Sequence, residues 1–141
     1  GFDLARVLKT KLESLLPDMS INCGGLDATF HRDDFRLREK PISPQSTLMP
    51  FLIEGRDVIL VDDVLFTGRT IRAGLDALLA HGRPSSVKLL VLVDRRFQRE
   101  LPIEPQFIGK SIDSIDYQYV KVEWDEHGEK CRVMLLNEKP E

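Results

Sequence analysis

A strand–helix–strand run in the middle of the chain predicts an α/β fold, a mostly parallel sheet flanked by helices. Residues 58–61 (Val-Ile-Leu-Val) and 89–93 (Leu-Leu-Val-Leu-Val) are unbroken β-favouring apolar runs, the pattern of strands covered on both faces. Between them Ile71, Leu75, Leu78 and Leu79 recur at helical spacing over residues 70–80, and Gly82 stops the pattern. Two strands joined by one crossover helix lie parallel as neighbours. The 141 residues, 42% hydrophobic and 30% charged, suit one globular domain rather than a disordered chain.

The remaining elements follow in order. Leu4, Val7, Leu8, Leu12, Leu15 and Leu16 mark an opening helix that Pro17-Asp18 ends. Gly24-Gly25 leads into a short extended stretch, residues 26–30. Residues 31–56 hold Pro41, Pro44 and Pro50 and few periodic apolar positions. They read as a long mobile loop or loose hairpin, and a segment of that length is commonly a lid. The second strand ends at Asp94. In the tail, Val120, Val122 and Trp124 alternate with charged residues, Glu126-His127-Gly128 turns, and residues 131–136 return as an antiparallel hairpin.

Composition excludes several classes. A helical membrane span needs about 20 apolar residues, and the longest unbroken apolar run here is the five of residues 89–93. Asp3, Arg6, Lys9 and Lys11 leave no signal-peptide core in the first dozen residues. Cys23 and Cys131 stand alone, as idle thiols of a reducing cytoplasm do, and with three scattered histidines they offer no zinc-ligand spacing. The net charge of −3 is concentrated in residues 111–141, where eight acidic residues face four basic ones. The chain is not a generally basic nucleic-acid binder, although Arg95, Arg96 and Arg99 cluster within five residues.

The chemistry is densest at Val61-Asp62-Asp63-Val64-Leu65-Phe66-Thr67-Gly68-Arg69-Thr70. A buried strand ends in two carboxylates, a short hydroxyl-bearing loop with one glycine follows, and a helix begins. In open α/β sheets, ligands bind at the carboxyl ends of strands. A helix start offers free N–H groups and a positive dipole end, which suit a phosphate. Asp62 and Asp63 only accept hydrogen bonds, so beside that cradle they fit a sugar diol or a bound Mg²⁺. Together these parts describe a ribose 5-phosphate site. The plain alternative is a strand end with Thr70 as a helix N-cap. Neither a G-x-x-x-x-G-K-[ST] loop nor a G-x-G-x-x-G after a strand is present.

This stretch resembles the ribose-diphosphate-binding motif of type I phosphoribosyltransferases. Further segments are similar to one branch, the PyrR family of bifunctional pyrimidine-operon attenuators with uracil phosphoribosyltransferase activity: Asp27-Ala28-Thr29-Phe30-His31-Arg32-Asp33-Asp34, Gly74-Leu75-Asp76-Ala77-Leu78, Leu92-Val93-Asp94-Arg95, Arg99-Glu100-Leu101-Pro102-Ile103 and Ile108-Gly109-Lys110. The resemblance covers most of residues 1–112 and fits the hairpin loosely. It implies conversion of uracil and 5-phosphoribosyl 1-diphosphate to UMP and pyrophosphate with Mg²⁺. Asp62 and Asp63 would hold the ribose hydroxyls and the metal. Thr67, Gly68, Arg69 and Thr70 would hold the 5-phosphate. Residues 31–50 would form the lid, with Arg32 meeting the diphosphate or else pairing with Asp33 or Asp34. The base would sit near Val93, Asp94 and Arg95. Phe66 stands where related guanine and hypoxanthine enzymes carry an aspartate, which agrees with a pyrimidine. The resemblance also implies pyrimidine-operon mRNA as a partner, through Arg99 and Lys110, a cytoplasmic location, and a homodimer or higher oligomer.

Two departures set further expectations. Gly1 resembles the last glycine of the family's pyrophosphate-binding turn, so a core strand and that turn would precede it; without them a parallel edge is exposed and activity is lost unless a partner fills the gap. Arg95-Arg96-Phe97-Gln98-Arg99 is one residue longer than the usual loop, and Glu104 stands where relatives carry a basic residue, against RNA phosphate. Two other functions compete with the enzyme: a UMP-sensing RNA-binding attenuator with little catalysis, and a receiver-type or phosphatase-type domain using the acidic pair for phosphoryl transfer.

Overall fold

A computed structural model describes residues 1–26, 49–115 and 117–137. Helix α1 spans Phe2–Leu15, strand β1 Asp57–Leu65, helix α2 Arg69–Leu79, β2 Ser86–Arg96, β3 Phe107–Asp113, β4 Tyr119–Trp124 and β5 Cys131–Leu136. The first three strands form a parallel sheet in the order β1-β2-β3, and β4 and β5 form a separate antiparallel hairpin. The expected α/β class, the parallel strand–helix–strand unit and the tail hairpin are all present. The extended stretch expected at 26–30, except Leu26, and residues 31–48 of the loop expected at 31–56 lie outside the described residues; of the rest of that loop, Ile53 is buried.

Three expectations about the elements change. β1 does not stop at Val61. It runs through Asp62-Asp63 to Leu65, because pairing with β2 (Asp62 opposite Val91, Leu65 opposite Asp94) satisfies its backbone and overrides the poor strand preference of aspartate. Nor is β1 covered on both faces, since Ile59 is half exposed; it is also an edge strand among the described residues. In α2, Leu79 is exposed rather than part of the buried stripe, which is Ile71, Ala73, Ala77 and Leu78. The two alanines bring the helix close to the sheet, where a Cβ at Gly74 would touch Leu60 at 3.6 Å.

β3 has no counterpart in the sequence reading. Its residues are mostly exposed, and its apolar positions, Phe107, Ile108 and Ile112, form neither an unbroken run nor a clean alternation. Pairing makes it a strand: Leu90 lies opposite Phe107 and Val93 opposite Lys110, while Gly109 lets the two backbones approach, since a Cβ there would lie 2.5 Å from the Leu92 carbonyl oxygen. The core lies between α2 and the sheet, where Leu65, Ile71, Leu89 and Val91 are buried together and Leu60, Leu75 and Ile103 pack against them. α1 contributes one buried side chain, Leu4, but its start touches β1 directly, with Gly1 against the Val61 carbonyl. No helix among the described residues is long and apolar enough to cross a membrane.

Candidate active site

The C-terminal half of β1, the Phe66–Gly68 turn and the start of α2 bring together six of the residues singled out from the sequence: Asp62, Asp63, Thr67, Gly68, Arg69 and Thr70. Both carboxylates are three-quarters buried. Asp62 Oδ1 accepts a hydrogen bond from the Asp63 amide at 2.9 Å. Burial pushes the Asp62 carboxyl above the usual aspartate range, an effect that the Asp63 amide partly offsets. Asp63 Oδ1 is buried with no hydrogen-bond partner. The backbone nitrogen of Gly1 lies 3.9 Å from Asp62 Oδ1 and 3.7 Å from Asp63 Oδ1.

A buried carboxylate oxygen with no hydrogen-bond donor among the described residues, and a cationic nitrogen no nearer than 3.7 Å, is under-satisfied. It is matched by what a ligand would bring, a sugar hydroxyl or a cation. Mg²⁺ is commonly held by one or two carboxylates together with waters and substrate phosphates, and two adjacent aspartates are the donor set present. Among the described residues no cluster of three potential metal ligands exists.

The turn beside the carboxylates is held by backbone contacts. Gly68 caps α2 at φ 95°, in the left-handed region that favours glycine. It is buried, and a Cβ there would meet Ile103 Cγ1 at 3.1 Å. The Thr67 carbonyl accepts from the Glu100 and Leu101 amides at 2.9 and 3.1 Å, and Thr67 Oγ1 accepts from the Arg69 amide at 3.3 Å. Arg69 Nε pairs with Glu100 at 3.1 Å. α2 has no side-chain cap, and Thr70 lies inside the helix, so the N-cap alternative for Thr70 does not hold. An uncapped helix start behind a glycine turn is the arrangement that accepts a phosphate.

The residues expected around the base are arranged differently from the cradle. Val93, Asp94 and Arg95 are all buried. The Arg95 guanidinium donates to Ser114 Oγ at 2.7 Å, to the Gln118 carbonyl at 2.8 Å and to the Ile115 carbonyl at 3.3 Å, and its Cζ lies 3.8 Å from the Phe66 ring centroid. Arg99 turns inward as well, donating to the Phe66 carbonyl at 2.6 Å and to Asp94 Oδ1 at 2.8 Å. Lys110 is exposed on β3, apart from the cradle, and Arg32 lies outside the described residues. Phe97, in the loop with the extra residue, adopts φ 73° and is 83% exposed, with Arg96 5.3 Å from its ring. An open groove of about 730 Å³ runs past Asp94, Phe97, Arg99, Glu100 and Ile108.

Sequence reasoning missed the 97–105 segment as a support of the phosphate turn. Leu101 and Ile103 pack on Gly68, and Arg99 and Glu100 bind the turn directly. The available signals were the family-like run Arg99-Glu100-Leu101-Pro102-Ile103, which carried no stated role in the turn, and the Arg95/Arg96/Arg99 cluster, which reads as a solvated or nucleic-acid-facing loop until the partners of each arginine are known.

A phosphoribosyl transferase domain matches residues 1–127. Among curated proteins, the chain is 43% identical over 135 residues to the "Bifunctional protein PyrR" of Geobacter sp. strain M21, spanning 96% of this chain and 75% of that protein. It is 44% identical to the protein of the same name from Microcystis aeruginosa (96% and 75%) and 45% identical to that from Brevibacillus brevis (87% and 68%). Among solved structures, the hypoxanthine phosphoribosyltransferase of Trypanosoma cruzi in complex with the product IMP superposes with a TM-score of 0.54 at 20% identity, over 82% of this chain and 58% of that one. At that identity the likeness concerns the fold.

Proposed function

The chain belongs to the PyrR family of phosphoribosyltransferase-domain proteins, and from that premise we propose that it transfers the 5-phosphoribosyl group of 5-phosphoribosyl 1-diphosphate to uracil. The bond from the ribose C1 to the pyrophosphate oxygen breaks, a bond from C1 to the uracil ring nitrogen forms, and that nitrogen loses its proton. The observation that carries this reading is the acidic pair inside β1, with one buried oxygen that lacks a hydrogen-bond donor among the described residues, just before the glycine-capped helix start.

Asp62 and Asp63 accept the ribose hydroxyls and fix the sugar over the end of the sheet. The amides at the start of α2, with the Thr67 and Thr70 hydroxyls, hold the 5-phosphate at the positive end of the helix dipole. Departure of pyrophosphate leaves positive charge on the sugar ring, which the two nearby carboxylates stabilise. Mg²⁺ held by Asp62 and Asp63 with substrate oxygens would neutralise the leaving diphosphate. Phe66 supplies no acceptor for a purine ring nitrogen, consistent with a pyrimidine. The reading carries with it a cytoplasmic homo-oligomer.

Uracil-to-UMP turnover with 5-phosphoribosyl 1-diphosphate and Mg²⁺ tests this directly. The expected result is activity in the protein and its loss by at least about a hundredfold in Asp62→Asn/Asp63→Asn, as expected when groups contacting the transition state are removed. A folded protein that neither turns over nor binds UMP overturns it.

A second reading, pyrimidine-operon RNA binding as an attenuator, draws on the exposed Phe97 beside Arg96, a surface on which an unstacked base can lie. Glu100 and Glu104 on the same segment, and the inward turn of Arg99, weigh against a strong phosphate contact there.

A further inference from the structure

We infer that Arg99 is a positioning residue for the phosphate cradle: its guanidinium, anchored on Asp94, holds the Phe66 carbonyl and thereby fixes the Phe66–Gly68 turn in its ligand-ready shape. The inference rests on the reading of Thr67–Thr70 as a 5-phosphate site.

The geometry argues for this role rather than for a surface contact. Arg99 lies 33 positions from Phe66 in sequence, yet its Nη1 donates to the Phe66 carbonyl at 2.6 Å. Its Nη2 donates to Asp94 Oδ1 at 2.8 Å, and the Asp94 side chain is nine-tenths buried. One planar fork therefore ties a carbonyl of the turn to a carboxylate at the end of β2, and β2 is the central strand of the sheet. Fork geometry of this kind is specific to arginine, since a lysine ammonium is a single point charge.

The fork also works at a place where the turn has few other restraints. Gly68 is the residue with the widest backbone freedom and directly follows Thr67. Thr67 is held through its carbonyl by the Glu100 and Leu101 amides, which immediately follow Arg99, and its Oγ1 accepts a longer bond of 3.3 Å from the Arg69 amide. Phe66 is held on its other side by Arg95 over its ring. Releasing the Arg99 contact removes the bond on the Phe66 carbonyl and loosens the orientation of the Thr67-Gly68 peptides that a phosphate requires. Binding then carries the cost of ordering the turn.

Calorimetric titration of ribose 5-phosphate into the protein, Arg99→Ala and Arg99→Lys tests it, because the titration separates the affinity of competent molecules from their number. Arg99→Ala is expected to weaken the Kd about tenfold, the loss typical of one charge-assisted hydrogen bond. Arg99→Lys keeps the charge beside Asp94 but not the fork, which guards against an Ala variant that fails to fold, and it is expected to weaken the Kd by several-fold with the stoichiometry unchanged. A merely structural arginine lowers the melting temperature or the competent fraction and leaves the Kd of the remaining molecules within twofold of the parent; that result in the Lys variant overturns the inference while leaving the site reading intact. Failure of the parent protein itself to bind ribose 5-phosphate removes the site reading and this inference together.

Discussion

Asp62 is the residue whose physics is least ordinary. Its carboxyl is three-quarters buried, and burial raises its pKa above that of a free aspartate. A carboxyl with a raised folded-state pKa binds its proton more tightly in the folded chain than in the unfolded one. Its contribution favours folding at low pH and is lost as pH rises through the folded value. At neutral pH the ionised Asp62 therefore costs stability, which a ligand hydroxyl or cation would offset. Asp62→Asn keeps an acceptor for the Asp63 amide and removes the buried charge. The variant is expected to melt above the parent at pH 7, with the difference closing as pH falls into the carboxylate range, while activity is lost. Thermal melts of both proteins across that range check it; a variant that melts lower at pH 7 would show that the charge is already compensated inside the fold. This is the stability cost that active sites commonly carry.

At the scale of elements, β1, the turn and α2 form one device, and Gly68 is its hinge. At φ 95° a side chain is strained, and the space is already filled by Ile103. Gly68→Ala is expected to cost roughly 1–3 kcal/mol, the range for a non-glycine residue forced into a sparsely allowed conformation. Urea denaturation measures that loss, and a midpoint equal to the parent's would show that the turn relaxes freely. The device was legible in the sequence because its parts are local: an apolar run, two carboxylates, Thr-Gly-x-Thr and a periodic helix lie within 23 consecutive residues, 58–80. What was not legible depends on partners distant in sequence. β3 is a strand because β2 lies beside it, and β1 continues through its aspartates for the same reason. Arg95 and Arg99 read as a basic surface cluster, yet one grips Ser114 and Gln118 and the other Phe66 and Asp94. Pattern reports periodicity and turn chemistry well. It does not report which way a long cationic side chain turns, because that is decided by carbonyls and carboxylates brought in by tertiary packing.

The whole molecule divides into two parts of unequal strength. In the parallel sheet β2 is hydrogen-bonded on both of its edges, and the sheet shares the Leu65, Ile71, Leu89 and Val91 core with α2. The β4–β5 hairpin has two strands only and keeps Val133 and Leu135 half exposed. A hairpin of two strands is marginal by itself in water. Within it, Arg132 and Lys121 pair with Glu123 and lower the Glu123 carboxyl to about 2, but the pairs lie in solvent, where such bridges add little. Among the described residues its ties to the rest include the buried Val120, an approach of β4 to β1, the long bond from Arg6 Nη2 to the His127 carbonyl at 3.3 Å, and Arg95 on the Gln118 carbonyl just before β4. Those ties are few beside a core strand, so the hairpin should open without the sheet. In native-state hydrogen exchange, the amides of β4 and β5 are expected to exchange through local opening, with a free energy at least about 2 kcal/mol below that of β2, as sub-global units commonly do. β2 amides are expected to follow global unfolding as denaturant is added, and hairpin amides to stay insensitive to it at low concentration. Equal protection in both parts, with the same denaturant dependence, would mean that Val120 and the Arg95 contact couple the hairpin to the sheet as one cooperative unit.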